Sequence, residues 1–316
     1  MRYKTIKLGN IGLMISVEDR LAQNFFANIV YRTLTLPIFN ILAGRDAKKV
    51  PVKTSEFHKQ SRSQQIPELF EGNPEQKQIF QKIAGIQWYH SIDLGHGVIT
   101  QGNLNHIPYL SHYHIPERLD DMRVLDVATF DGFWAFEFDR RGASEVIALD
   151  IESWNDIDLS PVEKAKMTPE MLNRKTGQGF NVAKEILGAK VNRKILNVYD
   201  LSPTVTGKFD MVFCSDLLLH LMCPMKALQN IYNVASGYAI IVEPFDPDLD
   251  LISPNKPLMH YKGCAKVCTW WNFSLKSLER MIQDAGFKKI ELMDTFELGV
   301  PGRSEKSWHA VFRASS

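Results

Sequence analysis

The chain has 316 residues, of which 45% are hydrophobic, 10% aromatic and 23% charged, an ordinary globular composition that excludes wholesale disorder, collagen and coiled coil. Lys+Arg 37 against Asp+Glu 36 leaves a formal charge of +1, which argues against a protein that lives on bulk attraction to nucleic acid. Cysteines are too few for a disulfide scaffold, so Cys214, Cys223, Cys264 and Cys268 read as reduced thiols.

At the start of the chain, Arg2, Lys4 and Lys7 precede an apolar run, Ile11 to Ile15, too short for a secretory leader and without a small-residue cleavage site. Leu21 to Ala43 is the most membrane-like stretch. Gln23, Asn24, Asn28, Arg32, Pro37 and Asn40 break it, so it falls short of the ~20 apolar residues of a spanning helix. It reads as a helix covering the main domain, with an interfacial amphipathic helix as the alternative. Lys48, Lys49, Lys53 and Lys59 form a basic patch around a loop at Val50-Pro51, and Glu68 to Ile83 reads as a helix. The expected division is a helical extension over residues 1–82, serving as a cap or oligomer contact, and a main domain over 83–316. The protein is expected in the cytoplasm.

From Val124 the pattern changes. Val124 to Ala128 is a short apolar run of the kind found in buried parallel strands, followed by a turn and a helix from Trp134 to Arg140. Further strands are expected at Val146–Asp150, Lys194–Val198, Phe209–Cys214 and Tyr238–Val242. Pro224 opens a helix closed by Gly237, and a polar loop is expected from Glu243 to Asn255. Ser274 caps a helix ending at Gly286, with Phe273 and Leu278 placed as a hydrophobic staple. Lys289–Met293 and Trp308–Arg313 close the chain as strands. This alternation predicts an α/β fold: an open, mostly parallel, doubly wound seven-stranded sheet with helices on both faces.

In such a sheet, ligands sit outside the carboxyl ends of the strands. The turn Asp126-Val127-Ala128-Thr129-Phe130-Asp131-Gly132 leads from a buried strand into a helix, and Asp150 ends the next strand, where a carboxylate can accept both hydroxyls of a ribose. The turn lacks the lysine and Ser/Thr of a phosphate-cradling loop, and it is not G-x-G-x-x-G. A nucleoside with a positive centre and no phosphate suits it better.

Val124 to Glu137, Asp150, Asp200 and Phe209 to Leu221 resemble successive motifs of the class I S-adenosylmethionine-dependent methyltransferases, with a Rossmann-like fold. The resemblance implies that Asp126, Ala128, Thr129, Phe130, Asp131 and Gly132 border the methionyl part. It implies that Asp150 holds the ribose hydroxyls, with Ile151 also a cofactor contact, that Asp200 lies beside the adenine, and that Ser215, Asp216 and Leu217 wall the pocket. Ala128 and Phe130 replace the first two glycines of the family's Gly-x-Gly-x-Gly, and Ala128 is expected to tolerate the turn only with negative φ. A narrower likeness rests on Trp88 to Leu94, Asp131-Gly132-Phe133-Trp134, Leu218 to Leu221 and Trp270-Trp271. These resemble a subgroup related to tRNA wobble-uridine methyltransferases and carboxymethyltransferases, which also holds bacterial enzymes acting on small molecules. The basic segment of the carboxymethylating members is not evident, so a carboxylated cofactor is not expected.

Methyl transfer by in-line displacement needs alignment of the partners and removal of one proton from the acceptor. His220, just after the fourth strand, is the expected base, with His90 and Glu243 as further catalytic candidates; the alternative for His220 is packing on Leu217 and Leu221. Trp88, Tyr89, Trp134, Trp270 and Trp271 are candidate substrate contacts. His112-x-His114 offers two ligands without a third at metal-site spacing, and the cysteines lack finger spacing, so no metal is expected. The expected activity is methyl transfer from S-adenosyl-L-methionine to an oxygen or nitrogen of a small metabolite, sugar or natural product. The alternatives are a tRNA wobble-uridine enzyme, whose RNA affinity would fall steeply with salt, and a non-catalytic binding protein keeping the fold.

Overall fold

The structure, a computed structural model, describes residues 73–264, 268–299 and 306–316, and the backbone alone of residues 2–8 and 11–17. The chain divides into two compact units, residues 1–56 and 57–316. In the first, strands β1 (Arg2–Leu8) and β2 (Ile11–Val17) pair antiparallel with Leu8 opposite Ile11. This corrects the expected helical extension. The stretch alternates, with Ile6 and Leu8 between polar residues, and its arms are separated by Gly9-Asn10, a two-residue hairpin signal that outweighs its weak helical character. The expected Leu21–Ala43 helix and the basic patch at Lys48 to Lys59 lie outside the described residues.

The second unit begins its described part with helix α1 (Pro74–Ile83), started by Asn73 in a capping box with Gln76. Ile79 and Ile83 are buried in the main core, so the expected boundary at residue 82 falls inside a helix that belongs to this unit.

Its main sheet contains β3 (Arg123–Val127), β4 (Glu145–Asp150), β5 (Val191–Ile195), β6 (Phe209–Ser215), β7 (Ala235–Phe245), β10 (Lys289–Gly299) and β11 (Lys306–Ser315). A separate two-stranded ribbon pairs β8 (Met259–Tyr261) with β9 (Trp271–Phe273). The main order is β10-β11-β7-β6-β3-β4-β5. Neighbours from β7 to β5 run parallel, and β11 runs antiparallel to both β7 and β10.

Side-chain alternation explains why helices cover both faces. Val124, Val146, Met211, Phe213 and Val242 point to one face, where α2 (Phe133–Arg140) and α3 (Gln178–Leu187) bring Trp134, Phe138, Phe180 and Ala183. Leu125, Ile147, Val212, Cys214 and Ile241 point to the other. There α4 (Pro224–Val234) supplies Leu228 and Ile231, and α6 (Leu275–Asp284) supplies Leu278 and Ile282. Phe273 joins Leu278 in that core, and the Ser274 hydroxyl accepts the N–H of Ser277 at 3.1 Å, the expected cap and staple.

Three local expectations change. The third parallel strand ends at Ile195, because Asn197 turns the chain by accepting the Tyr199 N–H and starting a 3-10 turn over Val198–Asp200. Gly237 lies inside β7 rather than at a helix end. The polar loop after Glu243 is in part helix α5 (Pro247–Ile252), capped by Asp246.

Candidate active site

The crossovers of the parallel sheet deliver the candidate residues to the carboxyl ends of β3, β4, β6 and β7. The turn after β3 shows why the missing glycines matter little. Ala128 and Phe130 have φ of +63° and +52° and Gly132 has +94°, so the two substituted positions take the left-handed conformation that glycine would. This overturns the negative φ expected at Ala128. The Thr129 N–H donates to Leu149 O at 3.0 Å and the Gly132 N–H to Thr129 O at 2.8 Å, which hold the strained turn. A Cβ on Gly132 would lie 2.5 Å from the Phe136 ring, so glycine is required there. Ala128→Gly should relieve about 1–2 kcal/mol of left-handed strain and lose part of that to unfolded-chain entropy. A Tm rise of about 1–3 °C is expected in thermal melts; a fall would show that the turn carries no strain.

Asp131 holds the Tyr89-His90 segment. Its Oδ2 accepts the N–H groups of Tyr89 at 2.8 Å and His90 at 2.9 Å, and its Oδ1 pairs with His90 Nδ1. A Cβ on Gly102 would meet the His90 carbonyl carbon at 2.1 Å, so that glycine lets the next loop lie against the same segment. The Tyr89-His90 backbone is thereby pinned over the turn, with Asp131 as its anchor. Buried Trp88 packs on Gly179. Buried Trp134 has ring centroids 4.3 Å from Tyr113 and 4.7 Å from Phe213. It is a core residue, which corrects its candidacy as a substrate contact. Half-buried Tyr89 has its ring 5.0 Å from Phe130. Burial and, after it, the charges of Asp216, Asp131 and Glu243 raise its phenol pKa.

At the tip of β4, Asp150 is buried, with Oδ1 accepting the Ile151 N–H at 2.8 Å and Oδ2 facing Arg193 Nη2 at 3.3 Å. Burial lifts its pKa to about 6 against the pull of Arg193. Asp126, 1% exposed, is raised to about 7 by burial. Asp200 is exposed at the end of its turn; Asn197, which sequence reasoning passed over, holds that turn together with Asn230.

At the end of β7, Glu243 is fully buried. Its Oε1 accepts the N–H groups of Leu217 and Leu218 at 2.8 Å each, and its Oε2 accepts that of Leu219 at 3.3 Å. Burial outweighs these bonds and lifts its pKa to about 8. Glu243 is therefore the anchor of the 3-10 turn Leu218–His220, neither a solvated loop acid nor a free catalytic group. On that turn, half-buried His220 donates Nδ1–H to Cys268 O at 2.9 Å, leaving Nε2 as an acceptor, and burial lowers its pKa.

Asp216 has φ +54°. Its Oδ2 accepts the Ser215 hydroxyl at 2.6 Å and its Oδ1 accepts His309 Nε2–H at 2.8 Å, while His309 Nδ1 meets Ser307 O at 3.0 Å. Both ring nitrogens of His309 face acceptors, so this 1% exposed imidazole carries a proton on each. Burial alone would raise the Asp216 pKa and lower that of His309; their mutual attraction reverses both. Sequence reasoning missed His309, whose one signal is a polar residue inside an apolar strand. Buried His106 donates or accepts through Nδ1 with the Tyr113 hydroxyl at 2.6 Å, and burial and neighbouring His90 push its pKa down to about 3, so it is neutral.

The tryptophan pair divides. Trp270 is buried with its indole N–H on Asp158 O at 2.7 Å, which corrects its candidacy as a substrate contact. Trp271 is half-buried, with its N–H on Leu221 O at 3.0 Å and an edge on a cleft. His112 and His114 both face Asp294, at 2.9 and 3.5 Å. Among the described residues no cluster of three or more metal-ligating groups occurs, and no helix is long and apolar enough to cross a membrane.

Among the described residues, four buried polar side-chain atoms have no hydrogen-bond partner: Trp88 Nε1, Asp126 Oδ2, Thr129 Oγ1 and Arg193 Nε. Buried polar groups are almost always satisfied, and these line the first turn and the Asp150 tip, where a polar nucleoside would complete them. Sheet order, acidic strand tips and orphaned donors and acceptors together define a class I methyltransferase that uses S-adenosylmethionine. A family model described as a methyltransferase domain matches residues 105–292, more than half of the chain, and the chain belongs to that family. Among solved structures, the N-terminal domain of EvdMO1 with S-adenosylhomocysteine (SAH) and D-fucose is 15% identical with a TM-score of 0.51, covering 78% of this chain and 98% of that one. The same domain with SAH alone gives 15% identity and a TM-score of 0.50, covering 76% and 95%. Magnesium protoporphyrin IX methyltransferase from Synechocystis PCC 6803 gives 16% identity and 0.41, covering 63% and 76%. A search of curated proteins found no match.

Proposed function

We propose that this enzyme methylates an oxygen or nitrogen of a small molecule, with His220 as the base that takes the acceptor's proton. The observation that carries the reading is the fixed tautomer of His220: Nδ1–H is committed to Cys268 O and Nε2 is left as an acceptor. A buried imidazole of lowered pKa is neutral near pH 7, as a base must be. S-adenosylmethionine supplies a methyl group already activated on a sulfonium, so no acid is required. Asp126, Thr129 and Gly132 would border its methionyl part, and Asp150 with Ile151 would hold the ribose hydroxyls. The Asn197–Asp200 turn would flank the adenine, and Ser215, Asp216 and Leu217 would wall the side nearest His220. A near-neutral chain supports a small acceptor over tRNA, and EvdMO1, which shares the fold, was crystallised with D-fucose. Four free cysteines support a reducing, cytoplasmic setting.

His220→Ala should leave SAH affinity within about twofold in calorimetry while lowering turnover by about 10²-fold or more. In the wild type at saturating cofactor, turnover should fall with acid only below the ordinary imidazole range, because burial lowers the pKa at which His220 gains its proton, and that limb should vanish in the variant. Unchanged turnover in His220→Ala removes it as the base.

A further inference from the structure

A cleft of about 290 Å³ opens beside the 3-10 turn that carries His220, lined by Leu219, Phe245, Asp246, Trp271, Asn272 and Trp308 among others. The mechanism above uses none of its side chains. Its inner wall is the turn itself: Leu219 is anchored to Glu243, and the Trp271 indole is fixed to Leu221 O. Cleft and base are therefore built on one short piece of backbone.

The lining is of two kinds. Trp271, Phe245 and Trp308 present apolar ring surface, and Trp308 is 37% exposed. Asp246, Asn272, Lys306 and Ser307 form a polar rim. Asp246 is held by the Asp248 N–H at 3.1 Å and by Asn272 Nδ2 at 3.4 Å, and its carboxylate oxygens keep lone pairs to spare. Among the described residues, the Asn272 side-chain carbonyl and the Ser307 hydroxyl have no hydrogen-bond partner. The volume lies at the lower limit of the ~300–1,000 Å³ usual for ligand pockets, which suits one ring and excludes a macrocycle or a nucleotide.

Two rival occupants fit less well. A flat heteroaromatic ring needs two parallel walls, but Phe245 and Trp308 stand at 56° with centroids 6.2 Å apart, leaving single faces and no slot. A phosphorylated ligand needs net positive charge. Among the described lining residues the cation is Lys306, which already pairs with Glu297 at 3.2 Å, and the carboxylate of Asp246 stands in the same rim. A single apolar face with a neutral-to-acidic hydrogen-bonding rim matches a pyranose, which has a C–H face and a belt of hydroxyls.

We infer that the cleft between Trp271 and Trp308 is the acceptor site and that it takes an uncharged hexose or 6-deoxyhexose ring. This rests on the small-molecule reading above and narrows it.

The test uses the full chain saturated with SAH, titrated with a panel of methyl hexopyranosides and methyl 6-deoxyhexopyranosides, glucose 1-phosphate and lumichrome, by tryptophan fluorescence and calorimetry. At least one neutral glycoside is expected to bind, with glucose 1-phosphate at least tenfold weaker than its neutral counterpart. Trp308→Ala should weaken the glycoside tenfold or more, and Trp308→Phe should recover it to within threefold. SAH affinity should stay the same in all three proteins, which also reports that each is folded. Binding of lumichrome with no glycoside bound, tighter binding of the phosphate, or glycoside affinity indifferent to Trp308 would each overturn the inference. Failure of SAH itself to bind would instead overturn the cofactor reading beneath it.

Discussion

His309→Ala is expected to cost about 3–5 kcal/mol of stability, because it leaves the Asp216 carboxylate buried without its countercharge. In a unit of this size that lowers Tm by about 6–15 °C. The coupling is read from the double variant: once Asp216 is Asn, the charge that needed His309 is gone, so the second substitution should cost far less than it does alone. Strict additivity of the two costs would show that the pair is only a contact between neutral groups. The linkage has two signs. The folded pKa of His309 is raised, so its contribution is complete below the unfolded value of 6.5 and is lost as pH climbs through the folded one. The folded pKa of Asp216 is depressed, so its contribution is present above about 3.9 and is lost on acidification through its lower folded value. The difference in Tm between wild type and His309→Ala should therefore be widest between about pH 4 and 6.5 and narrow toward alkaline pH.

Asp150→Ala is expected to weaken S-adenosylmethionine and SAH alike, by about 10²-fold. Both molecules carry the same ribose, and hydrogen bonds to an ionised carboxylate contribute about 1.5–3 kcal/mol each. Parallel calorimetric titrations distinguish this from His220→Ala, which should spare both. The carboxylate must be ionised to accept two hydroxyls, and with its pKa at about 6, wild-type affinity should rise between pH 5 and 7 and then level. A loss under threefold would mean that Asp150 is committed to Arg193 and Ile151 rather than to ligand.

The main sheet was legible because its central strands are buried on both faces, and Val124-Leu125-Asp126-Val127 or Phe209 to Cys214 leave no other reading for runs so short. Strand-end acids were legible for the same reason: Asp126 and Asp150 are conspicuous after apolar runs. What stayed hidden depends on separation along the chain. His309 meets Asp216 across 93 residues, and the amides that hold Glu243 lie 24 to 26 residues before it, so neither partner is visible in a local window. Positive φ at Ala128 is a decision of the surrounding structure, since residue preference alone opposes it. Trp134 misled because an aromatic residue beside a ligand-binding turn and one filling the core beneath it look the same in sequence. The N-terminal hairpin was misread where a weak helical impression prevailed over a two-residue turn.

The place of β11 in the sheet has a consequence for biogenesis. β10 touches the sheet only through β11, which inserts between it and β7. During translation, β10 must therefore wait with both edges open until its later neighbour leaves the ribosome, a state prone to intermolecular pairing. The same late strand carries the imidazolium that neutralises Asp216, so the nascent enzyme gains the strand that joins β10 to the sheet and its balanced interior charge in one event.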